Sequence, residues 1–375
     1  MVGQIAIFKK KIMKILFISN YRDGYNGWSE AALLYLKAMY TAGLDVVCRP
    51  IKLNNFNGPL PEEVVEMESK NLNNIDVVIQ NVLPNHMMYS NKFKYNIGLY
   101  YKETFTGHHL WDDNLRLMDI LWVPTKIMAN EDRRLNPKIE VLNIPCDTSE
   151  FLDVRPTYIP YKENYTFYWI GDLNRRKNLK CLIAAYYLGF TDIDCTSLVI
   201  KASKFGKTPR QVEDEVVKLC QVVANSLRIY NSFEDYPKIT VIGENLSRQA
   251  ILGLHKTCDC FVYPSFGEAW GLPMMDALAS GNTLVSSSNG GAKEMISNNT
   301  FLVDGDAKTV QGMTSFPGLY TARETWIDTD PQDLCRTMKY VKSIYSGKKE
   351  PCDIMDKLSL ENIGSRIKDK LYALK

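Results

Sequence analysis

The 375-residue chain has only four histidines, and only His108 and His109 are neighbours, so no histidine-based metal centre is written into it. Its nine cysteines are odd in number and form no CxxC pair, which argues against a zinc ribbon or a disulfide framework. Cys258 and Cys260 flank Asp259 in an apolar run and read as alternating faces of a strand, as suits buried thiols in a reducing compartment. No apolar run reaches the ~18 residues that a membrane helix needs. Residues 9–20, KKKIMKILFISN, imitate a signal peptide, but the apolar part is short and no small-residue cleavage site follows. They read as a first strand, with Met13 a candidate start and residues 1–12 a disordered lead. Net charge is only +2, so no broad polyanion-binding surface is advertised. The local exception is Lys9, Lys10, Lys11 and Lys14, a solvated end before it is a site of peripheral membrane or nucleic-acid contact. A GxGxxG fingerprint is missing: Gly24 and Gly27 are spaced GxxG only, which weakens an NAD-dependent oxidoreductase reading.

What is present is a repeated alternation of short apolar runs with helical patterns. Strands are expected at 15–19, 45–48, 75–80, 96–100, 121–124 and 139–145, with helices at 27–43 and 61–70. A Pro-containing stretch at 146–164 reads as a link. The alternation then restarts, with strands at 166–171, 197–201, 238–243, 260–264 and 283–288. Helices are expected at 178–189, 209–229, 247–257 (Ser247 as N-cap) and 273–281, then at 331–346 and 354–374, and 305–325 reads as an irregular insertion. Continuous apolar strands between helices predict parallel sheets covered on both faces. The expected architecture is α/β, with two Rossmann-like doubly wound lobes facing a cleft: residues 1–155, then 156–350, with 351–375 as a terminal helix. In such sheets ligands lie beyond the C-terminal ends of the strands.

The densest chemistry is PSFGEAWGLPMMDALASG, residues 264–281. Strand 260–264 runs into a loop, Pro273 fits a first helical turn, and Gly281 fits a left-handed helix end. Backbone N–H groups around Trp270, Gly271 and Leu272 then stand at a helix N-terminus and suit an anion such as phosphate. Glu268 and Asp276 are placed to accept from hydroxyls, Asp276 being read as lying in the first helical turn. Phosphates beside hydroxyls describe a sugar nucleotide. The bland alternative is a helix-dipole acid and a solvated loop acid.

This stretch resembles the E-x7-E signature of the large retaining, family-four (group 1) class of GT-B glycosyltransferases, with Asp276 in place of the second Glu. The resemblance covers roughly residues 14–345. It implies that Arg176 and Lys177, in IGDLNRRKN (170–178), grip a donor diphosphate, with Asp172 where many members have Arg and Arg175 as a substitute. It implies that Gly27 lies near the donor phosphates or the acceptor, that Glu294 of SNGGAKEMI borders the sugar or caps a helix, and that Glu103, His108 and His109 come from the first lobe toward the acceptor or sugar. A surface pair is an equal reading for the two histidines. The terminal helix is expected to cross back onto the first lobe. The resemblance also implies sugar transfer from a nucleoside-diphosphate sugar with no cofactor or metal; the Asp-x-Asp pairs at 192–194, 304–306 and 328–330 read as loop acids. Alternatives are a non-catalytic sugar-nucleotide- or glycan-binding subunit and a transferase acting on modified DNA bases. Donor base, sugar, acceptor and oligomeric state are not written in the motifs.

Overall fold

The computed structural model describes residues 13–24, 26–53, 59–107, 109–160, 162–313, 318–349 and 352–374. The N-terminal lysines Lys9, Lys10 and Lys11 and the residue His108 lie outside them. The first lobe runs β1 (Lys14–Ser19), α1 (Gly27–Thr41), β2 (Asp45–Pro50), α2 (Glu62–Ser69), β3 (Val77–Asn81), β4 (Tyr95–Leu99), α3 (Asp112–Leu117), β5 (Ile120–Val123), α4 (Lys126–Asp132) and β6 (Ile139–Val141). Its six strands pair in parallel in the order β2-β1-β3-β4-β5-β6. Ile15, Val46, Val77 and Ile97 are completely buried, as expected for strands with helices on both faces. Helix α1 begins where Asn26 accepts from the backbone N–H of Trp28 and Ser29, and its exit uses the left-handed Gly43.

The second lobe repeats the plan: β7 (Tyr165–Asp172), α5 (Leu179–Gly189), β8 (Thr196–Ser203), α6 (Pro209–Leu227), β9 (Ile239–Ile242), α7 (Arg248–Thr257), β10 (Cys260–Tyr263), α8 (Leu272–Ala279), β11 (Thr283–Ser287) and β12 (Thr300–Val303). Its sheet is also parallel, in the order β12-β11-β10-β7-β8-β9. Each sheet therefore reverses its winding once, between β1 and β3 in the first lobe and between β7 and β10 in the second. At such a reversal the connections leave in opposite directions and open a crevice at the C-terminal strand ends.

The segment read as an irregular insertion carries instead an antiparallel hairpin, β13 (Gly305–Thr309) with β14 (Thr325–Thr329). Its strands are mostly polar and lack a clean two-residue alternation, but they close a small core of their own. Val310, Met313 and Trp326 are buried there, and Phe266 stacks on Trp326 with ring centroids 4.6 Å apart. The chain ends with α9 (Pro331–Ser343), α10 (Ile354–Leu358) and α11 (Leu360–Tyr372). The expected single last helix is split because Ser359 accepts from Asn362 N and starts α11 afresh. Helix α11 packs on α1, so closely that a Cβ on Gly364 would lie 2.3 Å from the Ala38 carbonyl oxygen.

Candidate active site at the facing winding reversals

The two loops that leave β7 and β10 meet at the second lobe's reversal. After β7 the chain makes a tight turn over Arg175–Lys177 and passes through a left-handed Asn178 into α5. After β10 it passes Ser265 to Gly271, whose φ of +91° sets the start of α8. Backbone bonds stitch the loops together: the Arg176 carbonyl accepts from Phe266 N at 2.8 Å and from Ser265 Oγ at 3.0 Å. The backbone N–H groups of Ala269, Trp270, Gly271 and Leu272 donate to no acceptor among the described residues. These amides stand open at the start of α8, with Pro273 in its first turn.

Glycine makes this corner dense. A Cβ on Gly290 would fall 1.6 Å from the carbonyl oxygen of Glu268, and one on Gly291 would fall 1.8 Å from that of Trp270. The paired glycines of SNGGAKEMI therefore exist to let the next turn press against the 268–270 backbone.

Three side chains converge on one oxygen. Glu268 Oε1 accepts from Arg176 Nη1 at 2.6 Å and from Lys177 Nζ at 2.5 Å, and shares the single Ser265 hydroxyl hydrogen with the Arg176 carbonyl, Ser265 Oγ lying 3.2 Å away. Arg176 Nη1 also donates to the Gly267 carbonyl at 2.7 Å, and Lys177 Nζ stands 5.2 Å above the Tyr263 ring. Arg176 and Glu268 are each only 7% exposed. Burial alone would raise the Glu268 carboxyl, but the charges of Arg176 and Lys177 outweigh it and hold it at about 2. Lys177 is pulled below the ordinary lysine range by burial and by its neighbour Arg176, with Glu268 offsetting part of this.

A pH dependence follows from these charges. A carboxyl depressed on folding stabilises the native state fully above its unfolded value and loses that contribution as pH falls toward the folded one. The loss should run from about pH 4.5 down to about 2 and amount to roughly 3 kcal/mol. Thermal melts of the chain and of Glu268→Gln over that window should converge as pH falls; parallel curves would refute the assignment.

The first lobe completes the cluster. Arg176 Nη2 is 2.7 Å from Glu103 Oε1, and Tyr320, beyond the hairpin's first strand, donates its hydroxyl to Glu103 Oε2. The 103–106 segment also bonds the hairpin itself, Phe105 N to the Thr325 carbonyl at 2.8 Å and Thr325 N to Thr106 Oγ1 at 3.1 Å. Beside it the buried Lys102 and Asp132 pair at 2.9 Å, and the Tyr100 hydroxyl donates to the other Asp132 oxygen at 2.6 Å. This pair fixes the segment that presents Glu103. Gly27 faces Leu272 across the lobes, with a notional Cβ 3.9 Å from Leu272 Cδ1.

The remaining candidates are placed differently. Asp276 lies in the second turn of α8, not the first, because the helix already begins at Leu272. Both its oxygens accept from Arg248 at the start of α7, one of them at 2.9 Å. Arg248 Nε in turn reaches Glu150, between β6 and β7, at 3.0 Å. Trp270 is a core side chain, 2% exposed. Glu294 accepts from Lys126 N at 2.6 Å and so caps α4 of the first lobe. His109 is exposed, with Asp112 at 4.0 Å, and does not meet the cluster. Asp172 accepts from Asn174, and Arg175 lies against Gly312 near the hairpin. Sequence reasoning missed Ser265, Tyr320, Arg248 and the Lys102–Asp132 pair; of these only Ser265 lay inside the motif.

Residues 235–312, which hold the loop after β10 and both close-packed glycines, match the family Glycosyl transferases group 1. No curated protein matches the sequence. Among solved structures, Anabaena Alr3699/HepE in complex with UDP and glucose aligns with a TM-score of 0.63 at 15% identity, covering 96% of this chain and 100% of that one. Sucrose-phosphate synthase from Thermosynechococcus elongatus aligns at 0.63 and 14% identity, over 97% and 100%. An E. coli trehalose-6-phosphate protein bound with UDP-2-fluoro glucose aligns at 0.61 and 11%, over 96% and 99%. The shared architecture is the two-lobed GT-B fold.

Proposed function

For this GT-B chain of the group 1 glycosyltransferase type, we propose that it moves a sugar from a nucleoside-diphosphate sugar to an acceptor hydroxyl with retention of anomeric configuration. The observation that carries the reading is the convergence of Arg176, Lys177 and Glu268 beside the open amides of residues 269–272. Leaving of a nucleoside diphosphate places growing negative charge on its phosphate, and fixed cations and N–H groups aimed there lower the barrier. Each charge-assisted hydrogen bond contributes roughly 1.5–3 kcal/mol.

In this reading Arg176 and Lys177 let go of part of their hold on Glu268 Oε1 and take the diphosphate. Ser265 keeps the carboxylate in place. The other Glu268 oxygen, which accepts from none of these three donors, takes a hydroxyl of the transferred sugar and stabilises positive charge on its ring. Gly27 and Leu272 close the seam over the donor, and Glu103 approaches from the acceptor side. The cluster offers no carboxylate free of cations to act as nucleophile, so departure and attack on the same face of the sugar suit it. The reading assigns no resident metal or cofactor. The resemblance favours a glycan or lipid-linked glycan as acceptor. Nine cysteines without a CxxC pair suit a reducing, cytoplasmic site of action, with peripheral membrane contact through the N-terminal lysines. Among the described residues no helix is long and apolar enough to cross a membrane.

The test is a panel of nucleoside-diphosphate sugars, followed by thermal shift and by release of free sugar. One of them should stabilise the chain and be hydrolysed slowly without acceptor. A chain that binds but never cleaves any of them would be a binding subunit, and the catalytic reading would fall.

A further inference from the structure

One buried cation has no part in the mechanism above. Lys201 lies near the end of β8, in register with Ile170 of β7 and Ile242 of β9, and is only 5% exposed. Its ammonium has three N–H donors. Among the described residues it makes one hydrogen bond, to the Ala202 carbonyl at 2.9 Å, and no ion pair. That bond turns the side chain toward the C-terminal edge of the sheet, the edge on which α/β sheets bind ligands. Burial draws its pKa below the ordinary lysine range; Glu244, just after β9, and Asp172, at the end of β7, act on it in the opposite sense from a distance. An under-bonded buried ammonium is costly to a fold and calls for an acceptor that the chain itself does not supply.

Its place along the edge says what that acceptor is. In the strand order β10-β7-β8, Lys201 stands two strands from the loop after β10. Neighbouring strands lie about 4.8 Å apart, so the separation is about 10 Å. That is about the reach from a diphosphate to the base it carries. The exposed Glu244 beside it would accept from an N–H.

We propose that Lys201 is a specificity-determining residue for the donor's nucleobase. It donates to a ring carbonyl of a base whose adjacent ring N–H faces Glu244, so the site selects uracil, thymine or guanine over adenine. This rests on the nucleotide-sugar reading above and adds the base class to it.

The experiment compares UDP, GDP, ADP and inorganic pyrophosphate on the full chain and on Lys201→Met, by calorimetry or thermal shift. UDP or GDP should bind the natural chain about tenfold or more tighter than ADP. Lys201→Met should lose that preference, leave pyrophosphate and ADP binding unchanged, and melt at or above the natural temperature, because a buried lone charge has been removed. Lys201→Arg, which keeps the charge, should retain part of the preference. Equal ranking of the nucleotides by the natural chain, or an unchanged preference in Lys201→Met, overturns the inference while leaving the diphosphate site intact. No binding of any nucleotide or of pyrophosphate overturns the functional reading and this one with it. Should Lys201→Met fail to fold, Glu244→Gln serves in its place: a weakened preference for UDP or GDP over ADP supports the inference, and an unchanged one refutes it.

Discussion

Replacing Arg176 by Ala should lower the rate of sugar transfer by about 10²–10³, the usual cost of losing one fixed donor to a developing oxyanion. The expected loss is at the high end because the guanidinium serves three partners at once: Glu268, the Gly267 carbonyl and Glu103. Removing it leaves Glu103 without its cation and lets the Glu268 loop relax. Arg176→Lys keeps a charge but not the planar fork and should recover only part of the rate. Transfer and donor hydrolysis, measured with a nucleotide sugar that binds the natural chain, decide the matter. Natural turnover in Arg176→Ala would remove the diphosphate role; circular dichroism would show that the variant is folded.

The second large effect is on stability. Asp132→Asn should destabilise the first lobe by about 3–5 kcal/mol, because it strands the buried Lys102 ammonium. Both side chains are 3% exposed, so water cannot take over the lost partner. For a lobe of this size the melting temperature should fall by roughly 10 °C. The double variant Lys102→Met, Asp132→Leu should lose less than Asp132→Asn, since an apolar pair of similar volume replaces the desolvated ion pair and only the Tyr100 hydroxyl is left without its acceptor. If that double variant kept its fold but lost activity, the pair would be shown to act by holding Glu103. If Asp132→Asn melted normally, the burial argument would be wrong.

These two cases mark where the sequence was legible. Arg176, Lys177 and Glu268 sit in short ordered motifs, each directly after an apolar strand, so their meeting at strand ends could be read from spacing. The alternation of strands and helices gave two parallel α/β lobes in the same way. Strand order was not readable from periodicity, and neither was the facing of the two reversals; long-range pairing leaves no local mark. Lys102 and Asp132 are 30 positions apart, and each alone reads as a surface charge. Arg248 opens a helix behind a Ser cap and looks solvated; only the fold brings it onto both Asp276 oxygens. Tyr320 lay in a stretch without helical or strand periodicity, because the hairpin around it is stabilised by a small local core and by stacking on Phe266.

The return of the chain onto its own beginning limits how the lobes can move. Polypeptide passes between them twice, once after β6 and again before α10. The first passage meets the end of α10, just past the second, with Cys146 N donating to the Leu358 carbonyl at 2.7 Å. Beyond that point Arg366 bonds Asn143 and Lys370 pairs with Glu140, so the tail is riveted to the first lobe. A body joined to another by two adjacent straps behaves like a door on a pair of pins. It can swing about the line through them, but it resists twisting or sliding.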